Sequence, residues 1–300
     1  MDNVYILKYL AYVGIVLCLL GIIGNAFSVY VLSKMNSASL RLLKYLNVVD
    51  IVLLVIVCSL LTMIVLWWKR ASFEHHFVIL CTSVLFLTVQ TFETYLTVLI
   101  AFVRCLAVAM PFRFSTCMRD SVQSKLLVAI AVFSLLFNLP LYLLLMPNSI
   151  TLRMAKFQIM YLSLVFSFIL PLLVITICNV ILVVSRCRMR SVQSQNDRCR
   201  SRDRRHSRGA FQLTCLVLAI TAMFIATHAP VGVFKCLRLT YQIDITVQFI
   251  GFQILITIIY SATNFILYCC FGSEFRSTLI SLCKKPCFTR TDQPMPVSPV

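Results

Sequence analysis

The residues with the most chemistry in this sequence are three ionisable side chains inside long apolar segments. Glu93 and Arg104 lie in one such segment, and Asp50 lies in another. Over the eleven residues from Glu93 to Arg104, a helix rising 1.5 Å per residue advances about 16 Å, or about three turns. Burying such groups in an apolar medium is costly, so each needs a polar partner or a route to water. The elements around them must supply one or the other.

The composition is that of a membrane protein. Of the 300 residues, 60% are hydrophobic and 12% are charged, whereas a soluble domain has about 25% charged residues. Several runs reach the roughly 20 apolar residues that a helix needs to cross a bilayer, and none alternates like a membrane β-strand. The sequence therefore predicts an all-α seven-transmembrane helix bundle. The predicted spans are about 10–33, 42–68, 75–106, 126–146, 157–185, 211–236 and 245–270.

The basic residues predict the orientation of the chain. Most of the 27 lysines and arginines lie in the set of loops that includes the C-terminus, and the positive-inside rule places that set in the cytoplasm. The N-terminus is therefore expected outside the cell, in a multi-pass plasma-membrane protein. Membrane lipids, and not nucleic acid, are the expected partners of the +17 net charge. The remaining basic residues are assigned to the outer side: Lys8, Lys69, Arg70, Arg153, Lys156, Lys235 and Arg238.

Two segments depart from the apolar pattern. Residues 187–209 are rich in arginine and have no helical apolar period, so they are predicted to form a mobile basic cytoplasmic loop. That loop is either a solvated determinant of topology or a contact for a cytosolic partner. Residues 283–300 are predicted to form a cytoplasmic tail. Its Cys283 and Cys287 are candidates for palmitoylation, with plain free thiols as the alternative.

Polar and kink-forming residues recur in the predicted spans in a fixed order. They are Asn25, Asp50, Arg104, Phe224 with Pro230, and Asn264 with Tyr268. In this order the sequence resembles rhodopsin-like (class A) G-protein-coupled receptors over about residues 21–276. The stretches "SLLFNLPLYL" and "STCMRD" are similar to receptors for FMRFamide-like invertebrate neuropeptides. The resemblance implies a receptor domain over residues 1–276 and, at "CFGSEFR", a short amphipathic eighth helix over residues 272–282.

The resemblance also implies a function. It describes a receptor that binds an extracellular ligand, a neuropeptide, and activates a heterotrimeric G protein by outward movement of helix 6, with arrestin and receptor kinases as further partners. It assigns G-protein coupling to Arg104, Tyr268 and Asn179, and the activation switch to Phe224, His228, Pro230 and Asn264. No enzyme is expected. The alternatives are a chemosensory or orphan receptor for a small apolar ligand, and a non-signalling seven-helix decoy.

The sequence departs from the family pattern at several positions. Val103 stands where the family carries an acid, Cys105 where it carries a tyrosine, and Phe265 where it carries a proline. The segment 147–156 contains no cysteine to pair with Cys81, so Cys81 is expected to be free. These departures are the reason that a non-signalling decoy remains an alternative to a signalling receptor.

The family alignment predicts one polar site deep in the bundle. It brings Glu93, where relatives usually carry a small hydroxyl, next to Asp50 in a pocket with Asn25, Ser261 and Asn264. Two carboxylates in such a place cannot both be ionised without a cation or a shared proton. We therefore expect a sodium or proton site, and no other cofactor or metal. The alternative is that Glu93 points elsewhere and is simply protonated.

A ligand pocket is predicted from depth along the spans. Phe86 replaces the aspartate of amine receptors and Ile258 replaces the lysine of opsins, so neither a biogenic amine nor retinal is expected. An amidated peptide would place its cationic end near Glu74 or Asp244. The predicted lining residues are Phe86, Gln90, Phe234, Tyr241, Gln248 and Gln253.

Overall fold

A computed structural model of the chain describes residues 2–35, 40–67, 73–110, 114, 118–143, 149–195, 201–241 and 247–284. Helix α1 covers Asp2–Lys34, α2 Arg41–Trp67, α3 Phe73–Ala109 and α4 Asp120–Tyr142. Helix α5 joins Ser149–Phe157, π-helical turns at Gln158–Leu162 and Val165–Ile169, and Leu170–Gln195. Helix α6 covers Ser201–Tyr241, α7 Val247–Phe271 and α8 Ser273–Lys284.

The predicted seven-helix bundle is confirmed. Among the described residues, α1 to α7 each contain a stretch long and apolar enough to cross a membrane. The exposed outer face carries large apolar side chains such as Leu20 and Leu136, whereas Asn25, Asp50 and Asn264 are fully buried. A soluble protein has the opposite distribution. Lipid solvates the apolar outer face, and the polar groups partner one another inside.

Helix α3 lies at the centre of the bundle. It contacts α2, α4, α5 and α6, while α1 packs against α2 and α7. The α1–α7 contact is close at Gly21, where an added Cβ would lie 2.8 Å from the Cβ of Ala262 and 2.8 Å from Cδ1 of Leu54. Small residues let membrane helices approach to this distance, so α7 is held firmly against α1.

The irregular part of α5 has an identifiable cause. Pro171 lacks an N–H and disrupts the helical hydrogen bonds just before it, and the π-helical turn Val165–Ile169 lies there. The hydroxyl of Tyr95 on α3 donates a hydrogen bond to the carbonyl oxygen of Phe166 at 2.8 Å. A side chain of the central helix thus satisfies a backbone acceptor in the distorted turn.

Three sequence predictions need correction. The segment 187–209 was predicted to be a loop, but α5 continues to Gln195 and α6 begins at Ser201. A helix that projects beyond the membrane needs no apolar face, so its sequence lacks the apolar period. Helix α4 begins at Asp120, ahead of the predicted residue 126. Lys235 was assigned to the outer loops, but it lies inside α6, six residues before the last residue of that helix.

Candidate ligand cavity and polar column

A cavity of about 310 Å³ lies between α3, α4, α5, α6 and α7, at the end of the bundle opposite Arg104. Its walls are mostly apolar, with hydroxyl, amide, imidazole and amine groups set among them. The lining residues are Leu60, Ser83, Phe86, Leu87, Gln90, Thr91, Thr94, Phe137, Asn138, Leu141, Gln158, Ser163, Ser167, Phe168, His228, Val231, Gly232, Lys235, Gln253 and Ile254.

The predicted pocket residues divide into two groups. Phe86, Gln90 and Gln253 line the cavity. Phe234 is absent from the lining, and Tyr241 is 69% exposed at the end of α6, so the structure does not place these two in the cavity. Depth along a helix does not fix which way a side chain faces, because each residue turns by about 100°. The side chain of Gln248 lies outside the described residues, as do the side chain of Glu74 and all of Asp244.

The shape of the cavity depends on its small residues and on α5. A Cβ added to Gly232 of α6 would lie 2.2 Å from the Phe168 ring, so only glycine leaves room for that ring. Gln158 is buried, and its Oε1 has no hydrogen-bond partner among the described residues. This oxygen is an acceptor that a ligand N–H or O–H group would satisfy.

Aromatic rings pack around His228, which forms the floor of the cavity. The rings of Phe224 and His228 are stacked at 4.0 Å with an interplanar angle of 19°, and Tyr260 of α7 meets the His228 ring edge-on at 5.3 Å. Nδ1 of His228 lies 3.1 Å from the carbonyl oxygen of Phe224. The predicted switch residues Phe224 and His228 therefore touch α7 directly, through a tyrosine that the sequence did not single out.

Hydrogen bonds between α3 and α7 continue from this floor towards Arg104. Gln90 Nε2 donates to Thr257 Oγ1 at 3.0 Å, and one turn further on α7 the hydroxyls of Tyr260 and Thr97 lie 2.9 Å apart. Tyr260 and Thr97 are both buried. We call this chain of side chains, together with Asp50, Glu93 and Tyr268, the polar column.

The two buried carboxyl groups meet in the middle of the polar column. Asp50 on α2 and Glu93 on α3 lie within hydrogen-bonding reach of each other. Asn264 Nδ2 donates to Asp50 Oδ2 at 2.6 Å, and Ser261 Oγ donates to Glu93 Oε1 at 2.8 Å. Asn25 Nδ2 donates to the carbonyl oxygen of Ser261 at 2.8 Å. The predicted set of five residues is thus brought together, and the reading in which Glu93 points elsewhere is wrong.

The oxygens of this site fit a hard cation or a shared proton. Asp50 Oδ1, Glu93 Oε2, Asn25 Oδ1 and Asn264 Oδ1 are all buried and have no hydrogen-bond partner among the described residues. Carboxylate and amide oxygens are the ligands that hard cations prefer. A proton between the two carboxyl groups would instead satisfy one oxygen of each acid.

The column ends near the G-protein-coupling residues predicted from the family resemblance. Asn47 Nδ2 of α2 donates to the hydroxyl of Tyr268 at 2.7 Å, and Tyr268 is fully buried. Asn179 Nδ2 of α5 donates to Thr221 Oγ1 of α6 at 2.8 Å. Arg104 is half-buried, five residues before the last residue of α3. The Asn47–Tyr268 bond thus links α2 to α7, and the Asn179–Thr221 bond links α5 to α6.

Helix α8 adds one more link at this end. Phe275 packs against the Tyr268 ring at 5.4 Å, and Ser273 Oγ donates a hydrogen bond to Gln212 Oε1 of α6. The side chain of Cys283 and all of Cys287 lie outside the described residues. At the opposite end, Cys81 and Cys236 are free thiols.

Comparison with known proteins decides the family. Residues 137–286, half of the chain, match the family of serpentine type seven-transmembrane G-protein-coupled chemoreceptors called Srw. The chain belongs to this receptor family. It is also 27% identical to somatostatin receptor type 5 of Rattus norvegicus over 286 residues, which cover 88% of this chain and 74% of that receptor.

The family confirms the predicted class of protein. This Srw-family protein is a G-protein-coupled receptor of the rhodopsin-like type and not an enzyme. Its similarity to a somatostatin receptor covers 88% of the chain and so extends beyond the half of the chain that matches the Srw family. The likeness to FMRFamide-like receptors stays a prediction.

Proposed function

We propose that this receptor binds a small organic ligand in the described cavity and activates a heterotrimeric G protein through outward movement of α6. The observation that carries the proposal is the cavity itself, whose floor continues into the polar column. Its volume of about 310 Å³ is at the lower end of the roughly 300–1,000 Å³ of small-molecule sites. The chemoreceptor family supports this reading over the neuropeptide reading.

The movement begins at the cavity floor. A ligand that displaces the His228 ring also shifts Phe224, which is stacked on it, and Tyr260, which meets it edge-on. Pro230 lies two residues beyond His228 and removes one backbone hydrogen bond, so α6 bends most easily there. Below this point the swing of α6 would break the Asn179–Thr221 and Ser273–Gln212 hydrogen bonds and open the bundle beside Arg104.

The carboxyl pair restrains this movement. A sodium ion or a proton held between Asp50 and Glu93 ties α2 and α3 to α7 through Asn264 and Ser261. Releasing it would free α7 to move with α6. We therefore assign the pair as the element that stabilises the inactive state.

Activation of the receptor in cells tests the proposed function. Cells expressing the full chain are challenged with libraries of small molecules and of amidated peptides, and energy-transfer sensors report each G-protein class, arrestin recruitment and receptor-kinase dependence. Ser167→Phe places a ring in the cavity, and Val128→Phe places one on the outer face, where Val128 is 63% exposed. We expect a small agonist to fail on Ser167→Phe alone. Agonists unaffected by Ser167→Phe would contradict the assigned site.

A peptide ligand is the second candidate. The 27% identity with a somatostatin receptor over most of the chain favours it. A peptide acting mainly above the cavity would activate both phenylalanine variants equally. A receptor that activates no G protein with either library would be the non-signalling decoy.

The proposed orientation has its own test. An epitope tag at the N-terminus is expected to bind antibody on intact cells, because the positive-inside rule places that end outside the plasma membrane. A C-terminal tag should bind only after permeabilisation. The reverse pattern would place the cavity on the cytoplasmic side and overturn the proposal.

A further inference from the structure

One charged side chain lines the ligand cavity. Lys235 of α6 is among the twenty lining residues, and none of the others is an aspartate, a glutamate or an arginine. The only other titratable side chain in the lining is His228, whose Nδ1 is engaged with the backbone of its own helix. The lining of the cavity therefore has a single cationic corner, between α5 and α6.

Among the described residues, the amine of Lys235 has few partners. There it donates one long hydrogen bond, 3.5 Å to Ser163 Oγ of α5, although an ammonium group has three donors. Within the described residues the salt bridge is Arg41–Asp120, and no carboxylate pairs with Lys235. A cation held against apolar walls gains most from an anion that desolvates together with it.

We propose that the ligand of this receptor carries a carboxylate that binds Lys235, with an apolar body that fills the rest of the cavity. This inference rests on the proposed function and names the ligand class of the same site. The rings of Phe86, Phe137 and Phe168 offer the apolar body a surface. An amidated peptide lacks a terminal carboxylate. If the ligand is a peptide, it should therefore have a free C-terminus.

Matched probes test the ligand class on the purified receptor in lipid nanodiscs. At each chain length the set contains three compounds: an ω-phenylalkanoate, the corresponding primary amide and the corresponding amine. Binding is measured by thermal shift and by calorimetry. We expect the acid to bind about 10- to 100-fold more tightly than its amide, the range for a charge-assisted hydrogen bond. An amide that binds as tightly as its acid would overturn the proposal.

Variants at the lysine separate binding from folding. Lys235→Gln should abolish the preference for acid over amide, Lys235→Arg should keep it, and Lys235→Glu should transfer it to the amine. Lys125→Gln removes an exposed lysine at the other end of the bundle and should change nothing. A preference that survives Lys235→Gln would show that another group binds the acid.

Pairing of Lys235 within the protein is the competing outcome. Asp244→Asn and Glu74→Gln, each alone and combined with Lys235→Gln, form double-mutant cycles of thermal stability. Strong coupling of Lys235 to Asp244 or Glu74, with no preference for the carboxylate probes over their amides, would make Lys235 a structural residue and overturn the proposal. If other small molecules still activate the receptor through the cavity, the proposed function stands although the carboxylate assignment has failed.

Discussion

Replacing Glu93 by glutamine should remove most of the response of the receptor to sodium or to pH, whichever of the two the carboxyl pair produces. Two unit charges about 4 Å apart repel by about 4 kcal/mol at an effective dielectric constant of about 20, which disfavours the doubly ionised pair by about three orders of magnitude. Asp50 and Glu93 are fully buried and within hydrogen-bonding reach, so we expect the pair to hold a cation or a proton. The glutamine variant keeps the shape of the site and loses one of the two charges.

Linkage between ligand binding and folding gives the expected changes in the free energy of unfolding. A sodium ion present at about 100 times its dissociation constant stabilises the folded receptor by about 2.7 kcal/mol. A shared proton instead makes stability fall with rising pH by at most about 1.4 kcal/mol per pH unit, because unfolding separates the two acids and releases the proton. The wild type should show one of these responses, and Glu93→Gln should lose most of it.

Thermal unfolding of the purified receptor measures how its stability depends on sodium and on pH. Sodium is exchanged for N-methylglucamine at constant ionic strength, at mildly acidic and mildly alkaline pH. Glu274→Gln is the matched control, since Glu274 is exposed on α8 and should respond as the wild type does. A Glu93→Gln receptor whose midpoint follows sodium and pH as the wild type does would refute the assignment of the pair.

Three further changes test the packing of the bundle. Gly21→Leu should cost about 1–3 kcal/mol by forcing α1 away from α7, and scanning fluorimetry should show a lowered unfolding midpoint. Tyr95→Phe should cost about 1–3 kcal/mol by leaving a carbonyl of the π-helical turn without its donor, whereas Tyr161→Phe, on an exposed ring, should be neutral in the same assay. Ser273→Ala should raise basal G-protein activation by freeing α6 at Gln212; an unchanged basal signal would count against that restraint.

The membrane-spanning architecture was predictable because it depends on a strong and simple signal. A long apolar run leaves helix as its only stable form in lipid, so seven runs gave seven helices. The helix ends were less predictable. Residues 187–195 and 201–209 extend helices that already exist, and a polar extension has no apolar period to reveal it.

The candidate site was predictable only in part. The meeting of Glu93 with Asp50 followed from the family alignment and not from spacing, since nothing in the spacing relates α2 to α3. Tyr241 was predicted to line the ligand pocket but does not line this cavity, because depth along a helix leaves the rotation about its axis undetermined. Lys235 was counted as an outer-loop charge. The sequence did indicate a functional role for Lys235, because an ionisable residue inside an apolar span is by default a candidate for a functional site.

The distance between α4 and α6, measured with and without a G protein, tests whether activation moves α6 outward. Nitroxides are attached to keto amino acids placed at Lys125 of α4 and Cys215 of α6, because the described chain already contains ten free cysteines. Distances between the labels are measured in nanodiscs with and without engineered G-protein α subunits of each class. We expect one class to bind and to move the distribution to longer distances, and we expect a smaller shift in Arg104→Ala. Unchanged distances with every class would contradict it.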